Sequence, residues 1–309
     1  MKINKKNRLT RKFSPLTVTM FVLLSLYAVI LLGVLFWAII TSLKPTTFSG
    51  FKSGTASTYK FPEKLHFENY IQGFQNFFLE GVPYPKNMGG GTRTVYIGQM
   101  FLYTLLYCVG CSVIQTIVQC VTAYLCARFK YKLSKIVEGI VIVVMTIPIV
   151  GSLPAEIAVS NDLHLYGHMY GMWIMKANFL GMYFLIFLAS FKSIPMTYTE
   201  AAKIDGANNM SIMLRIIFPL VKNVIFTIIL INFITYWKDY QTPMIYIQTY
   251  PTVTYGLFQI IFDSSSESGM VSVPIRMTAS VIVILPLVII FIIFQKRLLG
   301  NLTMGGIKG

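Results

Sequence analysis

The chain has 309 residues, 55% of them hydrophobic and 12% charged, with a mean hydropathy of +0.66. A soluble domain carries about 25% charged residues, so this composition excludes one and marks an integral membrane protein. The net charge of +15 does not indicate nucleic acid: the basic residues stand at the ends and between apolar runs, not in a binding stripe.

Residues 1–15 form a basic tail with Lys2, Lys5, Lys6, Arg8, Arg11 and Lys12 and no acid. Such a tail suits the anionic cytoplasmic leaflet and sets the N-terminus inside. The first apolar run, 16–43, is too long for a signal-peptide core and has no A-x-A site after it, so it is expected to stay as a transmembrane helix. Trp37 and Lys44 are expected to anchor its outer end.

Residues 44–95 are Gly-, Pro-, Ser- and aromatic-rich and are expected outside. Within them Phe67–Leu79 has the makings of a short amphipathic helix at the interface. The cations of this loop (Lys52, Lys60, Lys64, Lys86, Arg93), partly offset by Glu63, Glu68 and Glu80, raise an acidic ligand as one option.

A second span is expected over 96–127, closed by Arg128, Lys130, Lys132 and Lys135. Its four cysteines, Cys108, Cys111, Cys120 and Cys126, lack the second ligand pair a zinc site needs and read as small apolar packing residues. The third span is expected over 136–160, kinked by Pro148 and Pro154. Glu156 lies near its outer end, at headgroup level or toward a polar pathway. Asp162, His164 and His168 do not make up a metal set. The fourth span, 169–192, carries Trp173 and Lys176.

The polar island that follows, TYTEAAKIDGANNMSIMLRIIFPL over Thr197–Leu220, is the most informative stretch. Pro195 ends the preceding helix. Thr197 and Glu200 have capping-box spacing, in which the hydroxyl accepts from the Glu200 N–H and the carboxylate reaches back to the Thr197 N–H. Gly206 suits a left-handed helix stop. Asn208 or Asn209 would cap a second short helix ending near Met213, and Pro219 would sit in the first turn of the next span. The expected object is a helix–turn–helix knob with small residues on one face. Spacing alone leaves an ordinary amphipathic loop open.

The fifth span is expected over 216–237, with Lys222 snorkelling inward and Asn232 in its outer half. Trp237-Lys238-Asp239-Tyr240 closes it. Residues 241–275 read as the last outer loop, and 277–295 as a sixth span containing Pro286. Segments assigned inside carry 16 of the 26 basic residues, which favours six crossings with both termini cytoplasmic.

Glu200-Ala201-Ala202, Asp205-Gly206-Ala207 and, a dozen residues on, Pro219-Leu220 together resemble the EAA loop of ABC importer permeases. Asn223 stands where a second proline is usual in that family. The ending Q-K-R, then G-x-L-T-x-G-G-I-K-G, resembles the maltose-type carbohydrate permeases, second permease subunit. Trp237–Tyr240 is similar to the family's W-N-D-F stretch, with Lys238 replacing Asn.

The resemblance implies an all-α, six-helix type I importer fold. Residues 96–296 would be its core domain, 193–215 its cytoplasmic coupling loop and 297–309 its cytoplasmic tail. It implies ATPase coupling through Glu200, Ala201, Ala202, Asp205, Gly206, Ala207 and Pro219, and ATPase contact by Gly305, Gly306 and Lys308. Its substrate pathway candidates are Asn232, Trp237, Asp239 and Tyr240. The implied partners are a second permease subunit, two ATP-binding-cassette ATPases, an extracytoplasmic solute-binding protein, a carbohydrate and the lipid bilayer.

The chain has no G-x-x-x-x-G-K-[ST], so ATP and Mg would sit on the separate ATPase and this chain would bind no cofactor. It also has no H-E-x-x-H or G-x-S-x-G, which argues against an enzyme. An ion-gradient-driven carrier or channel is the alternative, and it calls for mid-span acids that are nearly missing here.

Overall fold

The computed structural model describes residues 14–46, 61–85, 90–129, 131–147, 151–262 and 272–302, the side chains of 297–302 apart. The basic tail, Pro148, the serine-rich 263–271 segment and the glycine-rich C-terminal tail lie outside the described residues. The chain divides into two compact units, one of residues 1–74 with 270–281, the other of 75–269 with 282–309.

The first unit is built on α1, Pro15–Ser42. Ser14 caps it, its Oγ accepting from the Thr17 N–H at 3.2 Å, and Pro15 supplies the first turn where no donor is needed. Its apolar residues from Leu16 to Phe36 are exposed along most of their length, as expected of a helix whose solvent is lipid. The segment before and within α2, Glu68–Gln75, is tied to the end of α1. Asn69 donates to the carbonyls of Ser42 and Lys44, both at 2.8 Å, and the Ser42 and Tyr70 hydroxyls share a bond of 2.8 Å. Lys44, expected to anchor the outer end of α1, is buried there. The amphipathic helix expected over 67–79 is real but stops at Gln75, because the next residues belong to a strand.

The second unit opens on a hairpin of β1, Phe78–Pro83, and β2, Thr92–Tyr96. The strands are antiparallel, with Phe78 opposite Tyr96 and Val82 opposite Arg93, and a bulge lies between Leu79 and Val82. Arg93 is a tether here. It donates to the Thr249 carbonyl at 3.0 Å and to the Tyr103 hydroxyl at 3.3 Å.

The central element is α3, Ile97–Arg128, about 48 Å long at 1.5 Å per residue. Its buried side carries Thr104, Tyr107, Ser112, Thr116 and Gln119 as well as Cys108, Cys111 and Cys120. All four cysteines are free and buried. Against α3 pack α7, Met182–Lys192, and α10, Phe218–Lys238. The α6 helix, Met169–Met175, joins them. It comes close because residue 110 is glycine: a Cβ there would collide with the Trp173 ring, whose Nε1 donates to the Leu106 carbonyl at 3.2 Å. Trp173 is therefore a packing residue between α6 and α3.

Two expected spans are broken. The third is α4, Lys132–Thr146, and α5, Leu153–Asp162. Gly151 stands between them at φ +83°, and Pro154 enters in the first turn of α5. The fourth is α6 and α7, divided where Lys176 closes α6 and Gly181 takes φ +133° before α7. A charge, an amide at Asn178 and a glycine within six residues remove the reason to stay helical. The stretch expected as one outer loop holds α11, Gln241–Tyr246, and the apolar α12, Val253–Phe262. The last helix, α13, covers Val273–Leu302 and continues through Pro286.

Among the described residues, four helical runs are long and apolar enough to cross a bilayer: Pro15–Ser42, Ile97–Arg128, Asn209–Lys238 and Val273–Lys296. The all-α membrane architecture stands, with the hairpin as its one β element among those residues.

Candidate functional site

The polar island folds around α8, Thr197–Ile204. The helix starts one residue earlier than the capping-box spacing suggests. Met196 is its N-cap and its carbonyl accepts from both Thr199 (2.9 Å) and Glu200 (3.0 Å). Thr197 is thus the first helical residue, no side-chain cap bond forms, and the reciprocal Thr197–Glu200 box is not made. Glu200 is exposed, one turn in from a helix N-terminus, where a carboxylate is favoured by the aligned peptide dipoles.

The other end matches expectation. Gly206 has φ +80°. Its N–H donates to the Lys203 carbonyl at 3.1 Å, while Ala207 N–H reaches the Ala202 carbonyl at 2.9 Å. Those two bonds form a Schellman motif, which consumes carbonyls that would otherwise be left open at the helix end. Asn208 then caps the next helix, its Oδ1 accepting from Ser211 N–H at 2.7 Å.

That next helix does not stop at Met213. A short α9, Asn209–Ser211, runs through a π-helical turn at Ile212–Ile217 into α10. Pro219 therefore stands inside a continuous helical run, not at a fresh start. A proline there lacks a donor and crowds the carbonyl four residues back; the wider turn preceding it gives the ring room.

The small residues divide between two faces. Ala202 is buried and Ala207 packs against the same core, with Ile212, Met213 and Ile217. Ala201, Asp205 and Gly206 are exposed. The residue that sequence reasoning missed is Ile204, 86% exposed at the last position of α8. Its signal was faint, a single aliphatic between Lys203 and Asp205. The nub is therefore rooted by one face and presents an apolar tip on the other.

A second set of polar groups gathers at the far end of α10. Asn232 is buried and donates to the Thr116 hydroxyl at 3.1 Å. Trp237 is buried, its Nε1 donating to the Val283 carbonyl at 3.2 Å. Asp239 is half-buried and accepts from the Tyr107 hydroxyl (3.0 Å) and the Thr242 N–H (3.0 Å). Tyr240 stacks on Phe258 at 4.3 Å. Tyr236 donates to Gln115 at 2.6 Å, and the Lys176 ammonium sits 5.8 Å from its ring centroid.

Beside this set opens a cavity of about 860 Å³ between α5, α6 and α11, lined by Glu156, Lys176, Asn178, Gln241 and Thr242. Thr242 belongs to both the cavity and the Asp239 cluster. Tyr246 donates to Glu156 at 3.3 Å. Burial and the neighbouring carboxylate push its phenol up to about 12, so it remains a donor. His168 stacks on Tyr170 at 4.9 Å.

Long apolar helices around a polar-lined α3–α10 pair, with a capped nub at the root of α10, define a multi-pass membrane permease. The chain belongs to the family of binding-protein-dependent transport system inner membrane components, which it matches over residues 119–302. That family consists of transport proteins and not enzymes, and it lends nothing to the ion-gradient alternative.

Among its relatives is the melibiose/raffinose/stachyose import permease protein MelC of Bacillus subtilis (strain 168). The two are 25% identical over 84% of this chain and 87% of that protein. The maltodextrin transport system permease protein MalD of Streptococcus pneumoniae is also 25% identical, over 88% and 91% respectively. A chain from the crystal structure of a bacterial ABC transporter involved in the import of the acidic polysaccharide alginate shares the fold. It has a TM-score of 0.72 at 21% identity, over 93% of this chain and 99% of that one.

Proposed function

We propose that this chain is one membrane subunit of an ATP-driven importer that passes a carbohydrate, an oligosaccharide by the names of its relatives, received from an extracytoplasmic solute-binding protein. The pathway would lie between this chain and a second permease subunit. Two ATP-binding-cassette ATPases would hold ATP and Mg on the cytoplasmic side. Both termini would also be cytoplasmic. Gly305, Gly306 and Lys308, beyond the described residues, would reach the ATPases.

The observation that carries the reading is the construction of α8. A helix of eight residues with a Schellman stop, one buried face and an 86% exposed Ile204 is a part able to transmit force without bending. Glu200, Ala201, Asp205 and Gly206 are near that tip, Ala202 and Ala207 root it in the core that holds the start of the α10 run, and Pro219 lies within that run. Closure of the ATPases would then move α8 and α10 together. Asp239, Tyr240 and the adjoining cavity would form this chain's share of the sugar pathway, with Asn232 and Trp237 holding α10 in register against α3 and α13.

The test is reconstitution of this chain with a second permease subunit, an ATPase and a solute-binding protein of this class. Sugar-stimulated ATP hydrolysis and ATP-dependent uptake are expected. Uptake that proceeds without ATP would contradict the proposal.

A further inference from the structure

At the end of α3, a charged group is left in an uncomfortable state. Arg128 is 8% exposed, and its Nε and Nη2 have no hydrogen-bond partner among the described residues. Its Nη1 donates to the Met196 sulfur at 3.0 Å, and a thioether is a weak acceptor. A buried guanidinium without an anion is costly. Arg128 lines a cavity of about 630 Å³ whose wall also carries Lys132, Lys135 and Lys192. Among the described lining residues the one carboxylate, Glu138, is already engaged, both its oxygens 3.0 Å from Lys192 Nζ. The cavity is therefore a cation-rich space lacking a matching anion.

It adjoins a second feature of opposite character. An apolar trough of about 370 Å³ is lined by Leu125, Phe129, Leu133 and Val137, and it shares Cys126, Tyr131 and Ser134 with the basic cavity. Leu133 and Tyr131 are 66% and 68% exposed. A basic cavity opening onto an apolar trough fits a ligand with an anionic head and a hydrocarbon tail.

We propose that this pair of features binds an anionic phospholipid, its phosphate against Arg128, Lys132 and Lys135 and an acyl chain along the Leu125–Val137 trough. A free phosphate would satisfy the cations but leave the trough uncovered. An acidic protein segment would do the same. The position suits a lipid, since Arg128 is the last residue of a bilayer-length helix and basic pockets at such helix ends attract anionic headgroups. Met196, which now holds Arg128, is also the N-cap of α8. A headgroup would take over the guanidinium and free that side chain at the root of the nub.

The experiment is native mass spectrometry of the assembled transporter in detergent, loaded with phosphatidylglycerol or phosphatidylcholine. Its readout is retained lipid and is independent of sugar import. Phosphatidylglycerol is expected to be retained about tenfold more than phosphatidylcholine. Lys132→Gln with Lys135→Gln, at two exposed positions, is expected to lower that retention about tenfold or more, and Arg128→Gln to lower it as well. Millimolar inorganic phosphate should not displace the lipid. Equal retention of the two lipids, or unchanged retention in the double lysine variant, would overturn the proposal. So would displacement by phosphate, or a variant that keeps its lipid and loses a protein subunit instead.

Discussion

Ala207 donates its backbone N–H to the Ala202 carbonyl across Gly206, at 2.9 Å. Since Ala202 and Ala207 both pack into the core that holds the start of the α10 run, this bond fixes the exposed tip of α8 to that helix. Gly206 makes it possible by taking φ +80°, a region costly for residues with a Cβ.

Gly206→Val should therefore uncouple the transporter. Open space surrounds the position where a Cβ would be, so the cost is conformational, on the order of 1–3 kcal/mol for a β-branched residue. That is enough to displace a local turn but not to unfold a membrane bundle. Sugar-stimulated ATPase activity in proteoliposomes should fall about tenfold while membrane insertion is kept, and Gly206→Ala should give a milder loss.

Ile204→Asp should leave thermal stability within about 0.5 kcal/mol, as a surface change away from packing does. It should nevertheless weaken ATPase retention during purification by roughly tenfold or more, since burying an aliphatic side chain contributes about 1.5–3 kcal/mol. Quantifying ATPase recovered per membrane subunit measures this.

Asp239→Ala should destabilise the protein by about 1–3 kcal/mol, because it strands the buried Tyr107 hydroxyl as well as the Thr242 N–H. Tyr107→Phe removes one bond and should cost less. A double-mutant cycle by thermal unfolding in detergent should show that the two effects are not additive.

Gly110→Leu should separate α3 from α6, since even a Cβ there meets the Trp173 ring. A loss of about 1–3 kcal/mol from overpacking should appear as a lower melting temperature together with a red-shifted Trp173 fluorescence.

Most of the architecture was legible in the sequence, because bilayer-length uncharged runs have few alternatives. The first and second spans were placed to within a residue or two. The third and fourth were not, because hydropathy averages over the short interruptions before α5 and α7, where Gly151 and Gly181 take positive φ. At the site, Gly206 and Asn208 announced their caps by residue type. Thr197 misled, since its spacing to Glu200 fits a capping box only with Thr197 at the N-cap, and Met196 takes that place. Ile204 was invisible because an isolated aliphatic gives no sign of which way it points. The apolar α12 was hidden by its length, too short to read as a span.

The most direct test of the account is the membrane side on which α8 lies. Cys108, Cys111, Cys120 and Cys126 are buried, so Ile204→Cys supplies the reactive thiol for a membrane-impermeant maleimide. Labelling in inverted vesicles and protection in intact cells is the predicted result. Labelling of Cys introduced at position 204 from outside intact cells would contradict a cytoplasmic coupling role, and with it the mechanism proposed for this chain.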